Sequence, residues 1–291
     1  MMLSRRRFLA ISAAALATPA AAAPTRWQGR ALGAEVGLTL YAPRPLAERA
    51  LAQVRTRLRQ IEALFSLYDP GSALTQLNRD GILPAPHPLF AGLMRLCDQA
   101  HLATKGVFDP SIQPLWLALA TGGATEPARG SIGWQRVRRG DAIRLAPGQA
   151  LTFNGIAQGF ATDLIRADLA RLGLGKALIN IGEFAALGGP FRLGLGDPDH
   201  GIFATRRLHD GAIATSSPAA MLLGEQAHIL YPDRAAQWSS VSVETPSAAL
   251  ADALSTAFAL MSAEEIRQAT GRLRQQVRST LLAGNGDILT L

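Results

Sequence analysis

The stretch Thr152-Phe153-Asn154-Gly155-Ile156-Ala157-Gln158-Gly159-Phe160-Ala161-Thr162-Asp163 constrains this chain more than any other. It reads as the end of a strand, a tight turn and the opening of a helix. Asn154 is placed to cap that helix, since its side-chain oxygen can accept from the first free amides. Gly155 and Gly159 let another group come close to the backbone. The helix continues through Leu164, Ala167, Leu169 and Leu172 to Gly173, a residue suited to the position just past a helix end. A short apolar strand over 177–181 follows and ends at Gly182-Glu183. A strand that feeds a glycine-flanked helix start is a place where phosphate can sit, because free amides and the helix dipole both face it. An ordinary strand–helix–strand connection has the same pattern, and the pattern alone leaves both readings open.

The flanking sequence gives this motif its context. Residues 28–42 alternate and carry β-formers, which predicts one or two strands. Leu46, Ala50, Leu51, Val54, Leu58, Ile61, Leu64 and Phe65 recur at helical spacing, which predicts an amphipathic helix over 44–65. A turn cluster, Ser66 to Ser72, ends it. A short helix from Ser72 to Asn78 and an apolar helix over about 87–104 come next. Pro110 pushes Asp109 towards an extended backbone, so Asp109 is held at a corner. Residues 120–130 read as a surface loop. Short strands occupy 185–215, with turns at Gly188-Gly189-Pro190 and Gly196-Asp197-Pro198-Asp199. Val241-Ser242-Val243 is a strand, and 248–261 is a helix rich in small residues. Ser262-Ala263-Glu264-Glu265 is a capping box for a last helix. Two strands near 277–283 and 286–291 close the chain. This irregular alternation favours an α+β fold over a doubly wound parallel sheet.

The first residues read as an address. Ser4-Arg5-Arg6-Arg7-Phe8-Leu9 is a twin-arginine export signature. An alanine-rich apolar stretch and small residues at Ala20 to Ala23 follow it, so residues 1–23 are expected to be a signal peptide and 24–291 one periplasmic domain. Of the 291 residues, 48% are hydrophobic and 18% charged, which suits a packed core and excludes a disordered chain. The formal charge is +7, nearly all from arginine. No dense basic run follows the leader, which argues against a nucleic-acid surface. Cys97 is the single cysteine, so no disulfide forms within the chain, and its apolar setting predicts burial.

Several tempting motifs fail. Gly173-Leu174-Gly175-Lys176 is not a phosphate loop, because Ala170 stands at the first glycine position and Ala177 follows the lysine. There is no G-x-S-x-G elbow, no H-E-x-x-H pair and no cysteine cluster. The constellation that carries chemistry is Ala251-Asp252-Ala253-Leu254-Ser255-Thr256. Asp252 and Thr256 stand four residues apart, so both oxygens share one helical face. A carboxylate and a hydroxyl suit a hard cation such as Mg²⁺, which keeps few protein ligands and completes its shell with water and phosphate. A solvated helix face accounts for the same pair. Glu183, after a strand and a glycine, either orients a ligand or is an exposed turn residue.

Seven segments, in order, resemble the ApbE family of FAD:protein FMN transferases. They are Phe65-Ser66-Leu67-Tyr68-Asp69 with Ser72 and Asn78; Gly106-Val107-Phe108-Asp109-Pro110; Asn154-Gly155-Ile156-Ala157-Gln158-Gly159 with Asp163; Asn180-Ile181-Gly182-Glu183; Ile213-Ala214-Thr215-Ser216; His228-Ile229 before Pro232; and Ala251-Asp252-Ala253 with Ser255-Thr256. The twin-arginine leader, the Phe-Asn-Gly-Ile-Ala-Gln-Gly run and Ile-Gly-Glu look most like the NosX-type branch that accompanies nitrous-oxide reductase maturation. The resemblance implies an α+β, T-fold-like architecture with mixed sheets, packed helices and an FAD cleft between subdomains. It implies that FAD is cleaved at its pyrophosphate. FMN is then esterified to a Thr or Ser of a periplasmic acceptor, expected to be a NosR-like membrane electron-transfer protein, and AMP leaves. It carries over Asp252, Thr256 and the Gly155 carbonyl as Mg²⁺ ligands, and His228 with Asp252 as the catalytic pair. Leu32, Tyr68, Val107, Phe108, Asp109, Thr152, Gln158 and Glu183 match flavin-site positions. Four positions depart from the family pattern: Gln158 replaces a usual Lys, Thr152 a usual Asp, Tyr231 a usual Asp, and Glu183 a usual Gly. A degenerate member that binds and hands on FAD or FMN without catalysis is the alternative.

Overall fold

The computed structural model describes residues 23–291. The expected export segment before Ala23 lies outside them. A hairpin of β1 (Thr25–Ala31) and β2 (Ala34–Leu40) leads into α1 (Arg44–Phe65), α2 (Ala73–Asp80), β3 (Ile82–Pro84), α3 (Pro88–Ala103), α4 (Gln113–Thr121), α5 (Thr125–Ser131) and β4 (Ala142–Arg144). Next come α6 (Ala157–Arg171), β5 (Ala177–Asn180), β6 (Phe184–Leu187), β7 (Phe191–Asp197), β8 (Gly201–Leu208), β9 (Ala212–Ser216), β10 (Leu222–Leu223), β11 (Gln226–Ala227) and β12 (Ser240–Thr245). The chain closes with α7 (Ala248–Phe258), α8 (Ala263–Gly271), β13 (Arg278–Leu282) and β14 (Ile288–Thr290). Eight strands form one sheet in the order β1-β2-β5-β6-β9-β12-β13-β14. All described pairings, in this sheet and in the three two-stranded ones, run antiparallel. The fold is therefore α+β as expected, but its sheets are antiparallel and not mixed. Among the described residues no helix is long and apolar enough to cross a membrane.

The core grows around the central motif. Phe153 and Phe160 flank its glycines, and both rings meet Phe65 edge-on, at 5.8 and 6.0 Å between centroids. Phe90 closes the cluster against Phe153 at 5.5 Å. These tilted contacts follow the ring quadrupole, and they fix where the bend sits relative to α1 and α3. Asn78 braces the approach to the bend: its amide donates to the Leu151 carbonyl and its oxygen accepts from the Leu151 amide. Cys97 is fully buried among these helices, as expected.

Two expectations are corrected. Residues 120–130 are not a surface loop: α4 runs to Thr121, Gly122 turns the chain in the left-handed region, and α5 begins at Thr125. Asn154 does not cap α6. It is exposed, no side-chain cap bond is present, and Ile156 holds the cap position. The stretch 145–156 that leads into α6 holds no strand either, so the motif is a loop-to-helix entry and not a strand–helix–strand unit. Gly173 does lie just past the helix end with φ 87°.

Candidate functional site: a cleft at the crossing of two helix starts

The first turns of α6 and α7 cross each other. Gly159 makes the crossing possible: a Cβ there would lie 2.2 Å from the Ala248 carbonyl oxygen. Each helix then supplies an aspartate to the start of the other. Asp252 of α7 accepts the Gly159 amide of α6 at 3.0 Å. Asp163 of α6 accepts the Ala248 and Ala249 amides of α7, and the Ser247 hydroxyl as well. Free amides at a helix start need acceptors, and negative charge there opposes the dipole favourably. The reciprocal capping gives Asp163 and Asp252 each a structural role at the crossing. It also explains why no local residue caps α6.

The crossing brings Gly155 against Thr256. A Cβ on Gly155 would come within 3.0 Å of Thr256 Oγ1. Gly155, Asp252 and Thr256 all line one cleft of about 740 Å³. Val107, Phe108, Asp109, Thr152, Gln158, Glu183 and His228 line it too. The cleft wall holds one arginine, Arg30, and four carboxylates, Glu35, Asp109, Glu183 and Asp252. Its balance is thus opposite to that of the chain as a whole. A diphosphate entering beside these groups needs a cation to screen it.

The wall residues differ in what holds them. Asp109 is occupied by the fold: it accepts from the Ser111 amide and hydroxyl and from the Trp134 amide. Phe108 is anchored through its backbone, with its carbonyl on His101 Nδ1 and its amide on Thr104 Oγ1. Thr152 donates its amide to the Pro110 carbonyl, and its hydroxyl oxygen accepts the Asn154 amide. Glu183 accepts the Thr215 amide at 3.2 Å. His228 Nδ1 faces two carbonyl oxygens, of Pro218 at 3.2 Å and Met221 at 3.0 Å. Carbonyls only accept, so Nδ1 is the donor in these contacts.

A sequence profile described as the ApbE family matches residues 32–281. The chain belongs to that family. Its structure is similar to that of the Pseudomonas stutzeri flavinyl transferase ApbE in its apo form, with 24% identity, coverage of 92% of this chain and 93% of that one, and a TM-score of 0.77. It is also similar to the flavin transferase ApbE from Vibrio cholerae, with 18% identity, coverage of 92% and 97%, and a TM-score of 0.78. The ApbE protein of Thermotoga maritima matches at 22% identity, with coverage of 91% and 96% and a TM-score of 0.78. Likeness at these identities speaks for the fold. A search of curated proteins gave no match.

Two of the flavin-site positions carried over from the ApbE resemblance do not line the cleft. Tyr68 is 77% exposed in the turn after α1. Leu32 sits at the tip of the β1–β2 hairpin, where its amide donates to Glu62 Oε1. Residues that the motifs did not single out do line it: Gln28 and Arg30 of β1, Glu35 of β2, Trp116 of α4, and Ser217 after β9. Nothing local marks them, because they come from separate elements that meet only in the folded chain.

Gln158 is the most informative wall residue. It is 7% exposed and rests on Gly182, whose missing Cβ would lie 2.5 Å from Gln158 Cδ. Its Nε2 is buried with no hydrogen-bond partner. A buried donor left unmade costs about 1–3 kcal/mol, so such a group calls for an acceptor in the cleft.

The β7–β8 hairpin covers one side of the cleft through Leu193 to Gly196. Asp197, fully buried, ties it down by accepting from the Ser239 and Ser240 hydroxyls and from His200. Burial pushes this carboxyl upward. The bonds from Ser240, Ser239 and His200 outweigh that and hold it well below the ordinary 3.8. A depressed carboxyl adds stability above its unfolded value and loses it as pH falls towards its folded value. Thermal melts should therefore show Tm dropping as pH falls below about 4, with a shallower drop for Asp197→Asn. Equal slopes for the two proteins would contradict this.

Proposed function

We propose that the chain is an FAD:protein FMN transferase. One observation carries the reading: at the entry to α6, Thr256 of α7 is set against Gly155 and Asp252 of α7 holds the Gly159 amide, within the cleft that also holds His228. A carboxylate, a hydroxyl and a backbone carbonyl are hard oxygen donors, too few for a closed cage and suited to Mg²⁺ shared with a phosphate. When bound, Mg²⁺ would neutralise charge on the diphosphate and its leaving group.

The chain's own residues do the rest. The Gln158 side-chain amide offers a donor to the substrate's oxygens. Phe108 and Val107 supply apolar surface for the flavin ring. His228 Nε2 takes the proton of the acceptor's Thr or Ser hydroxyl. That oxygen attacks the FMN-side phosphorus, the P–O bond to AMP breaks, and AMP leaves with the bridging oxygen. The twin-arginine leader supports a periplasmic site of action. The Phe-Asn-Gly-Ile-Ala-Gln-Gly run supports the NosX-type branch, with a NosR-like membrane protein as acceptor.

Purified protein mixed with FAD, Mg²⁺ and a flavin-acceptor domain tests this. AMP release together with an FMN-sized mass gain on the acceptor is expected. His228→Ala should lower the rate by about 10²–10⁴ while leaving FAD binding within about threefold, since a general base acts in the transition state. Bound FAD with neither AMP nor a mass gain would favour the delivery protein instead.

A further inference from the structure

The buried Asp197 reaches the cleft through a chain of hydroxyls whose direction is forced. Asp197 is ionised and can only accept. Ser240 Oγ donates its one hydrogen to Asp197 Oδ2 at 2.6 Å. Ser240 Oγ also lies 2.5 Å from Ser217 Oγ. With its own hydrogen spent, Ser240 accepts there, so Ser217 must donate. Ser217 lines the cleft, and its only hydrogen is spent on Ser240. What its oxygen has left to offer a ligand is a lone pair, strengthened by a chain that ends on a buried negative charge.

We propose that Ser217 is a specificity-determining residue that accepts a hydrogen bond from a base N–H of the bound dinucleotide, on the flavin or on the adenine. The inference rests on the flavin-transferase reading and deepens it. An oxygen that can only accept disfavours carbonyl and phosphate oxygens at that spot and favours a donor; an N–H, which cannot turn round to accept as a hydroxyl can, is the donor it discriminates most sharply. FAD carries such donors in two places, the imide N–H of the flavin and the amino group of the adenine. The same residue bears on the histidine's surroundings, because the segment that begins at Ser217 supplies the Pro218 and Met221 carbonyls that hold His228.

Equilibrium binding to the full chain, read by flavin fluorescence, tests this with three ligands: FAD, FAD methylated at the flavin imide nitrogen, and FAD with hypoxanthine in place of adenine. Ser217→Ala should weaken FAD binding about three- to tenfold, the range of one hydrogen bond. Wild-type protein should bind one of the two analogues more weakly than FAD by a similar factor, and Ser217→Ala should bind that analogue and FAD alike. Loss of discrimination on the methylated ligand assigns the flavin imide, and loss on the hypoxanthine ligand assigns the adenine. Ser240→Ala, which keeps Ser217 but releases its hydrogen towards the cleft, should relax the same discrimination. Thermal melts of both variants confirm that they fold. Unchanged FAD binding by Ser217→Ala, or discrimination that survives in both variants, overturns the assignment and leaves the flavin reading standing. Wild-type protein that binds no FAD overturns both.

Discussion

Asp252→Ala is expected to lower FMN transfer by at least about a thousandfold, and Asp252→Asn to lower it almost as far while restoring the stability that alanine loses. The two effects have separate causes. Asp252 is 4% exposed, and its Oδ2 accepts the Gly159 amide at 3.0 Å. Alanine leaves that amide buried without an acceptor, a loss of about 1–3 kcal/mol. Asparagine keeps an oxygen in the same place, so most of that stability returns. It does not keep the negative charge that a hard cation needs. A metal that stabilises transition-state charge contributes several kcal/mol, and about 4 kcal/mol corresponds to a thousandfold. AMP release and urea denaturation, measured on all three proteins, separate the roles. If the asparagine variant released AMP at a rate near that of the wild type, Asp252 would be only a helix cap, and the metal site would have to lie elsewhere.

The same aspartate shows why some of this structure could be read from the sequence and some could not. The helix over 44–65 was legible because its apolar residues recur on one face, and α1 occupies Arg44–Phe65. The last helix was legible because Ser262 and Glu265 form a local capping box, which the structure contains. The start of α6 was legible as a helix start but not in its capping. Its acceptor comes from Asp252, 93 residues away, and no local pattern announces that. The helix α5 was missed because Gly122, Gly123 and Pro127 signal a loop, while seven residues are too few to show a period. The cleft was legible where its residues come from compact motifs such as 107–109 and 252–256. Arg30, Glu35 and Ser217 each come from a strand or loop with no signature, and only the pairing order of the sheet brings them to one wall. Gln158 lies between these cases. Its position was marked by the motif, but its unpartnered amide could be seen only once Gly182 was packed beneath it.

Gly159→Ala is expected to destabilise the protein by about 3 kcal/mol or more, against the ordinary trend. In a typical helix interior, replacing glycine with alanine gains about 0.5–1 kcal/mol by removing backbone freedom from the unfolded chain. Here the new methyl would meet the Ala248 carbonyl oxygen at 2.2 Å, its carbon at 2.6 Å and Ala249 Cα at 2.8 Å. These are backbone atoms of another helix start and cannot rotate aside. Relief requires α6 and α7 to move apart, which costs the usual overpacking strain of about 1–3 kcal/mol. It also stretches the bonds that tie Asp252 to Gly159 and Asp163 to Ala248 and Ala249. Bonds to charged acceptors contribute about 1.5–3 kcal/mol each. Gly130 in α5 provides the control, because a Cβ there meets nothing within 4 Å. Gly130→Ala should leave stability unchanged or raise it slightly, so that the two identical substitutions differ in sign. The separation would also carry Asp252 and Thr256 away from Gly155, so FMN transfer should fall even at temperatures where Gly159→Ala remains folded. A Gly159→Ala protein as stable as the wild type in urea would mean that the two helix starts do not touch, and the cleft built on their crossing would have no foundation.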